Sequence, residues 1–213
     1  TDAVDSCIGD GYVGAWLSGG LDSCVISSLA SRRVKNMHTF VGGVPGAPDV
    51  VYAREMADHL QTRHHEVLVK PEEVLKILPE VIYHLESFDA LLVRSSIMNY
   101  LVARETAQYV PAVFSGEGGD ELFAGYEYLK QLDPGDIQVE LVDIIQRLHN
   151  TALQRVDRCA AAFSVTPHVC FLDPRVVSFA LRIPSEYKLR GGVEKWILRR
   201  SVADLIPSHV LNR

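Results

Sequence analysis

The chain has 213 residues, of which 47% are hydrophobic, and carries a formal net charge of −6. That is enough for one large domain with a sizeable core, and no uninterrupted apolar run approaches the length of a membrane span. The acidic balance argues against a broad nucleic-acid-binding face, so neither nucleic acid nor membrane is expected as a partner.

The first predicted element is a short buried strand, Tyr12-Val13-Gly14-Ala15-Trp16-Leu17, which runs into Ser18-Gly19-Gly20-Leu21-Asp22-Ser23. Two adjacent glycines permit positive φ and let a ligand approach bare backbone. Val25, Ile26, Leu29 and Ala30 then recur at helical spacing. The glycine turn therefore sits at a helix N-terminus, where backbone N–H groups and the helix dipole favour an anion. Ser18 and Ser23 add hydroxyl groups, and Asp22 is a carboxylate able to hold a metal ion against that anion. The stretch reads as a nucleotide-phosphate loop, and it is neither a Walker loop nor a Gly-x-Gly-x-x-Gly fingerprint. The alternative is a Gly-Gly turn before an ordinary helix.

A second strand is predicted over Asn36 to Val41, then a loop ending at Asp49, which is expected to cap the helix of Ala53, Met56, Ala57 and Leu60. Arg63 to Val69 alternates into a third strand, and Pro71 opens a further helix. Strands alternating with helices imply an α/β fold with a doubly wound, mostly parallel sheet, whose ligands bind at the carboxyl ends of the strands. His64 and His65 point to opposite faces of their strand and cannot chelate one ion, so they are read as structural, as are His38 and His84. From Glu72 to Tyr109 the pattern is helical twice over, broken near Phe88-Asp89-Ala90, with Ile97, Met98, Leu101 and Val102 as a core stripe. Arg94 stands just before the second of these helices, where the dipole disfavours a cation, and is either a solvated residue or a phosphate ligand.

Ala112-Val113-Phe114 and Ser115-Gly116-Glu117-Gly118-Gly119-Asp120-Glu121 repeat the strand, glycine turn and helix of the opening stretch, with three carboxylates added. So much negative charge is costly unless a cation or a protonated ligand shares it. A flexible acidic turn is the alternative. Two such loops at the ends of two strands would face each other across a switch-point crevice. Residues 1–130 thus read as an α/β nucleotide-binding core and 131–213 as a mainly helical part packed on it, forming a single domain. Ile137 to Phe163 is mainly helical, and Arg155, Asp157 and Arg158 give it a charged face of the kind that is usually solvated. A helix follows Phe171-Leu172-Asp173-Pro174, and a last one spans Glu194 to Leu205. The cysteines, Cys7, Cys24, Cys159 and Cys170, lack Cys-x-x-Cys spacing and read as ordinary thiols of a cytoplasmic protein.

The opening hexapeptide resembles the pyrophosphate-binding loop of ATP pyrophosphatases. Four blocks in order extend that likeness: Leu17 to Ser23, Pro45 to Asp49, Phe114 to Glu121 running on through Gly125-Tyr126, and Glu194 to Arg199. Together they resemble the synthetase domain of glutamine-dependent asparagine synthetases and their β-lactam synthetase relatives over essentially the whole chain. The resemblance implies a ligase that adenylates a carboxylate, aspartate or a similar acid, with ATP and then transfers ammonia to it. By that likeness Leu17, Ser18, Gly19, Gly20, Asp22, Ser23, Val41, Ser115 and Gly116 bind ATP and pyrophosphate, and Asp22 and Asp120 hold Mg²⁺. Lys195 and Arg94 neutralise the leaving group, and Glu117 takes a proton from attacking ammonia. The β-lactam-forming relatives typically have Tyr at the position of Glu117, which leans this chain towards the ammonia-using branch.

The family's two threonines before the arginine are here Leu91 and Leu92, and the Glu and Arg of a later block are Thr166 and His168. These departures bear on the acyl substrate more than on the ATP chemistry. They leave open a different carboxylate or an inactive nucleotide-binding regulatory domain. The resemblance also leads us to expect chain outside 1–213. A glutaminase domain or subunit would supply ammonia through a cysteine nucleophile that Thr1 does not provide, and further residues would follow Arg213. A homodimer is a candidate assembly.

Overall fold

The computed structural model describes residues 1–9 and 12–213. Its strands are β1 (Val13–Trp16), β2 (His38–Gly43), β3 (Arg63–Leu68), β4 (Ala112–Phe114) and β5 (Thr166–His168). They form one sheet in the order β3-β2-β1-β4-β5, every pair parallel. The helices before β4 are α1 (Asp2–Asp5), α2 (Leu21–Ser31), α3 (Pro48–Leu60), α4 (Pro71–Leu85) and α5 (Ala90–Thr106). After β4 come α6 (Gly119–Phe123), α7 (Pro134–Leu148), α8 (Gln154–Ala161), α9 (Pro174–Leu181), α10 (Ser185–Lys188), α11 (Trp196–Ser201) and α12 (Ser208–Leu211). The α/β reading therefore holds. The chain leaves β1 to one side for β2 and β3 and returns on the other for β4 and β5, so the order reverses between β1 and β4. That reversal opens a crevice at the carboxyl ends of those two strands.

Several boundaries differ from expectation for identifiable reasons. Strand β5 was not anticipated because it is three residues long with Pro167 at its centre; an edge position tolerates the missing N–H. Asp49 does not cap α3: Ala47 is the cap, Pro48 follows at the first helical position, and Asp49 falls in the first turn. Arg94 lies inside α5 rather than before it, because Asp89 starts that helix. The Leu92 N–H donates to Asp89 Oδ1 at 2.7 Å. Asp89→Ala is expected to lower stability by about 1 kcal/mol, read from the shift of the denaturant midpoint at constant slope.

The main core cluster runs from Ala3 and Val4 through the sheet residues Ala15, Val41 and Phe114 to Leu198 and Val210, joining both ends of the described chain. Burying each large apolar side chain there contributes roughly 1.5–3 kcal/mol. His64 and His65 do face opposite ways. His65 Nε2 lies 2.9 Å from His38 Nδ1 and its ring packs at a tilt against Tyr109, while His64 Nδ1 meets the Thr39 hydroxyl at 3.0 Å. Burial lowers the pKa of His38, His64 and His65. All four cysteines are free, and burial pushes Cys24, Cys159 and Cys170 up to about 12. Among the described residues no helix is long and apolar enough to cross a membrane.

The path from α7 to α8 never leaves helical dihedrals, but His149–Leu153 between them is a π turn. A single π turn inserts one residue and rotates everything after it by about 100°. Lys188 is fully buried, with Gln138 Oε1 3.4 Å from its Nζ. Burial lowers its pKa from 10.5 to about 8. The unfolded chain binds that proton more tightly, so stability should rise with pH between about 8 and 10.5, and below 8 the full cost of burying the charge is carried. Lys188→Met is therefore expected to stabilise by about 2 kcal/mol at neutral pH, with the gain shrinking through that window in urea melts.

Candidate active site

The crevice at the ends of β1 and β4 contains a cleft of about 390 Å³, the size of a small-molecule site. It is two-sided. Trp16, Leu17, Phe40, Val41, Met98 and Val102 make an apolar end, and Ser18, Gly20, Asp22, Ser23, Ser115, Gly116, Glu117, Asp120 and Lys195 make a polar one. Such a division suits a ligand with a flat heterocycle at one end and charge at the other.

The polar end is built by the turns that follow β1 and β4. Gly19 takes φ +72° and packs against Tyr52 and Ala53 of α3, which leaves Gly20, at φ −77°, to start α2. No side chain caps α2, so the first N–H groups of that helix remain available to a ligand. The Ser23 hydroxyl donates to the Gly20 carbonyl at 2.9 Å and accepts from the Ser18 N–H at 3.1 Å. Its expected donation to a ligand is thus spent on closing the loop. Ser18 Oγ lies 3.1 Å from Ser23 Oγ. The second turn is pressed against the first: a Cβ on Gly116 would stand 2.7 Å from the Ser23 nitrogen and 3.0 Å from Asp22 backbone.

The three carboxylates of the second turn have three different partners, one of them shared with Asp22. Lys195 Nζ lies 2.6 Å from Asp22 Oδ2 and 2.7 Å from Asp120 Oδ1, bridging the two loops. Arg155 Nη2 donates to Glu117 Oε1 at 2.6 Å. The Tyr126 hydroxyl donates to buried Glu121 at 2.5 Å. The cation that the charge-rich turn requires is therefore supplied by the protein itself, twice. Burial raises Asp22 to about 7, against the pull of Lys195. Burial would lower Lys195, but Asp22 and Asp120 outweigh it and raise its pKa.

Lys195 is held by more than its charge. It sits before α11 at φ +53°, a left-handed conformation that costs a non-glycine residue about 1 kcal/mol. Its N–H donates to the Phe123 carbonyl at 3.2 Å. Neighbouring Glu194 is clamped between Lys130 at 3.1 Å and Arg199 at 2.8 Å.

Asp22 Oδ1 is buried without any hydrogen-bond partner, an orphaned acceptor of the kind a cation would satisfy. Asp22 and Asp120 offer hard oxygen ligands suited to Mg²⁺, which commonly takes only one or two carboxylates and completes its shell with phosphate and water. Accordingly, no group of three His, Cys, Asp or Glu side chains converges as a metal site among the described residues.

Of the residues singled out from sequence, Leu17, Ser18, Gly20, Asp22, Ser23, Val41, Ser115, Gly116, Glu117, Asp120 and Lys195 share this cleft. Gly19 supports it from behind. Arg94 does not line it: it is exposed on α5, one turn before the lining residue Met98 and so on the same side of the helix. Met98 and Val102 were missed as lining, since their spacing marks a core face without saying that part of that face overhangs a crevice, and Asn99 beside them carried no signal of its own. Arg155 was missed because charged helix faces are usually solvated.

The asparagine synthase family model matches residues 1–138 and 132–213. Glutamine-hydrolyzing asparagine synthetase 3 of Arabidopsis thaliana is 36% identical, over 94% of this chain and 38% of its own length. The glutamine-hydrolyzing asparagine synthetase of Gallus gallus is 37% identical over 94% of this chain, and that of Homo sapiens 37% over 96%, each across 38% of the relative. The chain thus spans 38% of the length of these curated relatives. With matches along its whole length on a doubly wound sheet, the chain belongs to the asparagine synthase family.

Proposed function

We propose that this chain is the adenylating and ammonia-accepting part of an AMP-forming amide ligase of asparagine synthetase type. The observation that carries this reading is the convergence of both glycine turns, Lys195 and Glu117 on one cleft with an apolar end. The apolar end would take adenine, with Val41 against the ring. The backbone N–H groups of Gly19, Gly20 and Ser23 and the Ser18 hydroxyl, with the Ser115 hydroxyl and Gly116 opposite, would take the phosphates. An oxygen of the acid attacks the α-phosphorus, the bond to the bridging oxygen breaks, and pyrophosphate leaves. Ammonia then attacks the acyl carbon, the bond to AMP breaks, and Glu117 takes a proton from nitrogen.

Lys195 neutralises charge that develops on the leaving pyrophosphate, and Arg94 would reach it from the rim. Asp22 and Asp120 would hold Mg²⁺, which as a Lewis acid stabilises charge on the phosphates. Residues 1–130 and 131–213 act as one unit in this reading, because Lys195 and Arg155 come from the second part and their carboxylate partners from the first. The relatives' names specify glutamine hydrolysis. The ammonia is accordingly proposed to come from a glutaminase domain or subunit.

Pyrophosphate release from ATP is the test, and it should require aspartate and yield an amide only with ammonia. A second reading keeps the chemistry and changes the acid. Leu91 is exposed, Leu92 is buried, and His168 is half-buried with its ring 5.7 Å from Phe114, where polar or charged groups are usual. ATP cleavage stimulated by another carboxylate but not by aspartate would select that reading.

A further inference from the structure

We propose that Arg155 is the positioning residue for Glu117 in the ammonia step, an inference that rests on the adenylation reading above. Glu117 needs one. It sits on a turn between Gly116 and Gly118, outside helix and strand, so no regular element fixes the direction of its side chain. Its own N–H lies 3.5 Å from Ser115 Oγ, at the limit of a hydrogen bond. Among the described residues the carboxylate's one ion-pair partner is Arg155, at 2.6 Å, with both side chains largely shielded from solvent.

Arg155 approaches from outside the cleft. Glu117 lines it and Arg155 does not, so the carboxylate is held by a group that is not itself part of the cleft wall. The contact is a single charge-assisted hydrogen bond, from Arg155 Nη2 to Glu117 Oε1, which holds one carboxylate oxygen and leaves the other to face the incoming nitrogen. Arg155 Nε is buried without a partner, a desolvation cost that is tolerated at this place.

The helix that carries Arg155 is adapted to this contact. The π turn His149–Leu153 ends one residue before α8 begins, and Arg155 is the second residue of α8. An uninterrupted α-helix would turn Arg155 aside by about 100°. With the π turn, Val156, Cys159 and Ala160 are buried while Arg155 meets Glu117. Single π turns inside helices are frequent at functional sites.

The test is a double-mutant cycle on Arg155→Met and Glu117→Gln, with Arg155→Lys as the conservative variant. Two readouts are taken: acid-dependent ATP–pyrophosphate exchange without ammonia, and ammonia-dependent amide formation. Arg155→Met is expected to leave exchange within about threefold of wild type while the kcat of amide formation falls about 10–100-fold. Arg155→Lys should recover part of the loss, and the double variant should be no slower than Glu117→Gln alone.

Wild-type amide formation in Arg155→Met overturns the proposal, as does a loss that multiplies with that of Glu117→Gln. An increase in KM for the acid alone also overturns it, because the guanidinium would then be reading the substrate's own carboxylate. If both readouts fall together in Arg155→Lys as well as Arg155→Met, the residue serves the fold and the proposal fails. Absence of acid-dependent exchange and AMP formation in the wild type overturns the adenylation reading itself. Exchange in the wild type with a failed cycle overturns this inference alone.

Discussion

Lys195→Met is expected to slow acid-dependent pyrophosphate formation about 10²–10³-fold, the usual cost of removing one preorganised charge at a developing anion. It should also be the most destabilising change in the cleft. Lys195 is the cation shared by Asp22 and Asp120, and Asp22 is buried with one oxygen already unpartnered. Breaking a buried pair by removing one member typically costs about 3–5 kcal/mol, because the remaining charge is left uncompensated. Lys195→Arg separates the two effects. It keeps a cation and should recover most of the stability, but a planar fork cannot occupy the point between two carboxylates that an ammonium fills. Its rate should stay well below wild type. Initial rates, with melting curves as the fold control, decide the matter; a Lys195→Met rate within about fivefold of wild type would show that the lysine is structural only.

Gly116→Ala should be nearly as damaging to the rate through a different cause. Its Cβ would stand 2.7 Å from the Ser23 nitrogen, and the neighbour is backbone at the start of α2, which cannot yield without moving the first turn. Overpacking of this kind costs about 1–3 kcal/mol. Displacing one loop from the other is expected to lower adenylation by up to about 100-fold, the loss that a misplacement near 1 Å produces. Gly46→Ala is the control: its Cβ would meet nothing within 4 Å, although its φ of +78° carries a strain of its own. It should lower stability modestly and leave the rate within a few-fold. Equal rates for the two alanine variants would mean that the contact between the loops does not matter to the chemistry.

The parts of the site that the sequence made legible are those written in local pattern. Ser18 to Ser23 and Ser115 to Glu121 each follow a strand and open a helix, and a parallel sheet then requires their turns to lie at the same edge. The charge on the second turn even announced a cation before any partner was known. What escaped was non-local. Lys195 was named through the family likeness and Arg155 was not named at all, but neither pairing was foreseen: they lie 173 and 38 residues from Asp22 and Glu117, and no periodicity reports such pairings. The π turn that aims Arg155 has no sequence signature, because its residues remain helical. Ser23 shows a subtler miss: its hydroxyl was assigned to a ligand, yet the Gly20 carbonyl three residues back competes for it and holds it. Arg94 was placed before a helix only because Asp89 was taken as part of a break rather than as the cap.

The central claim is that the acid is activated by attack at the α-phosphorus in the cleft between β1 and β4. The most direct measurement gives the protein ATP, ammonia and a carboxylate substrate labelled with ¹⁸O, and analyses the nucleotide product by mass spectrometry. The account predicts AMP carrying one ¹⁸O, with unlabelled pyrophosphate and an amide formed in equal amount. Label in inorganic phosphate with ADP as the nucleotide product would place attack at the γ-phosphorus, and AMP free of label would show that the acid never bonded to it; either result contradicts the account.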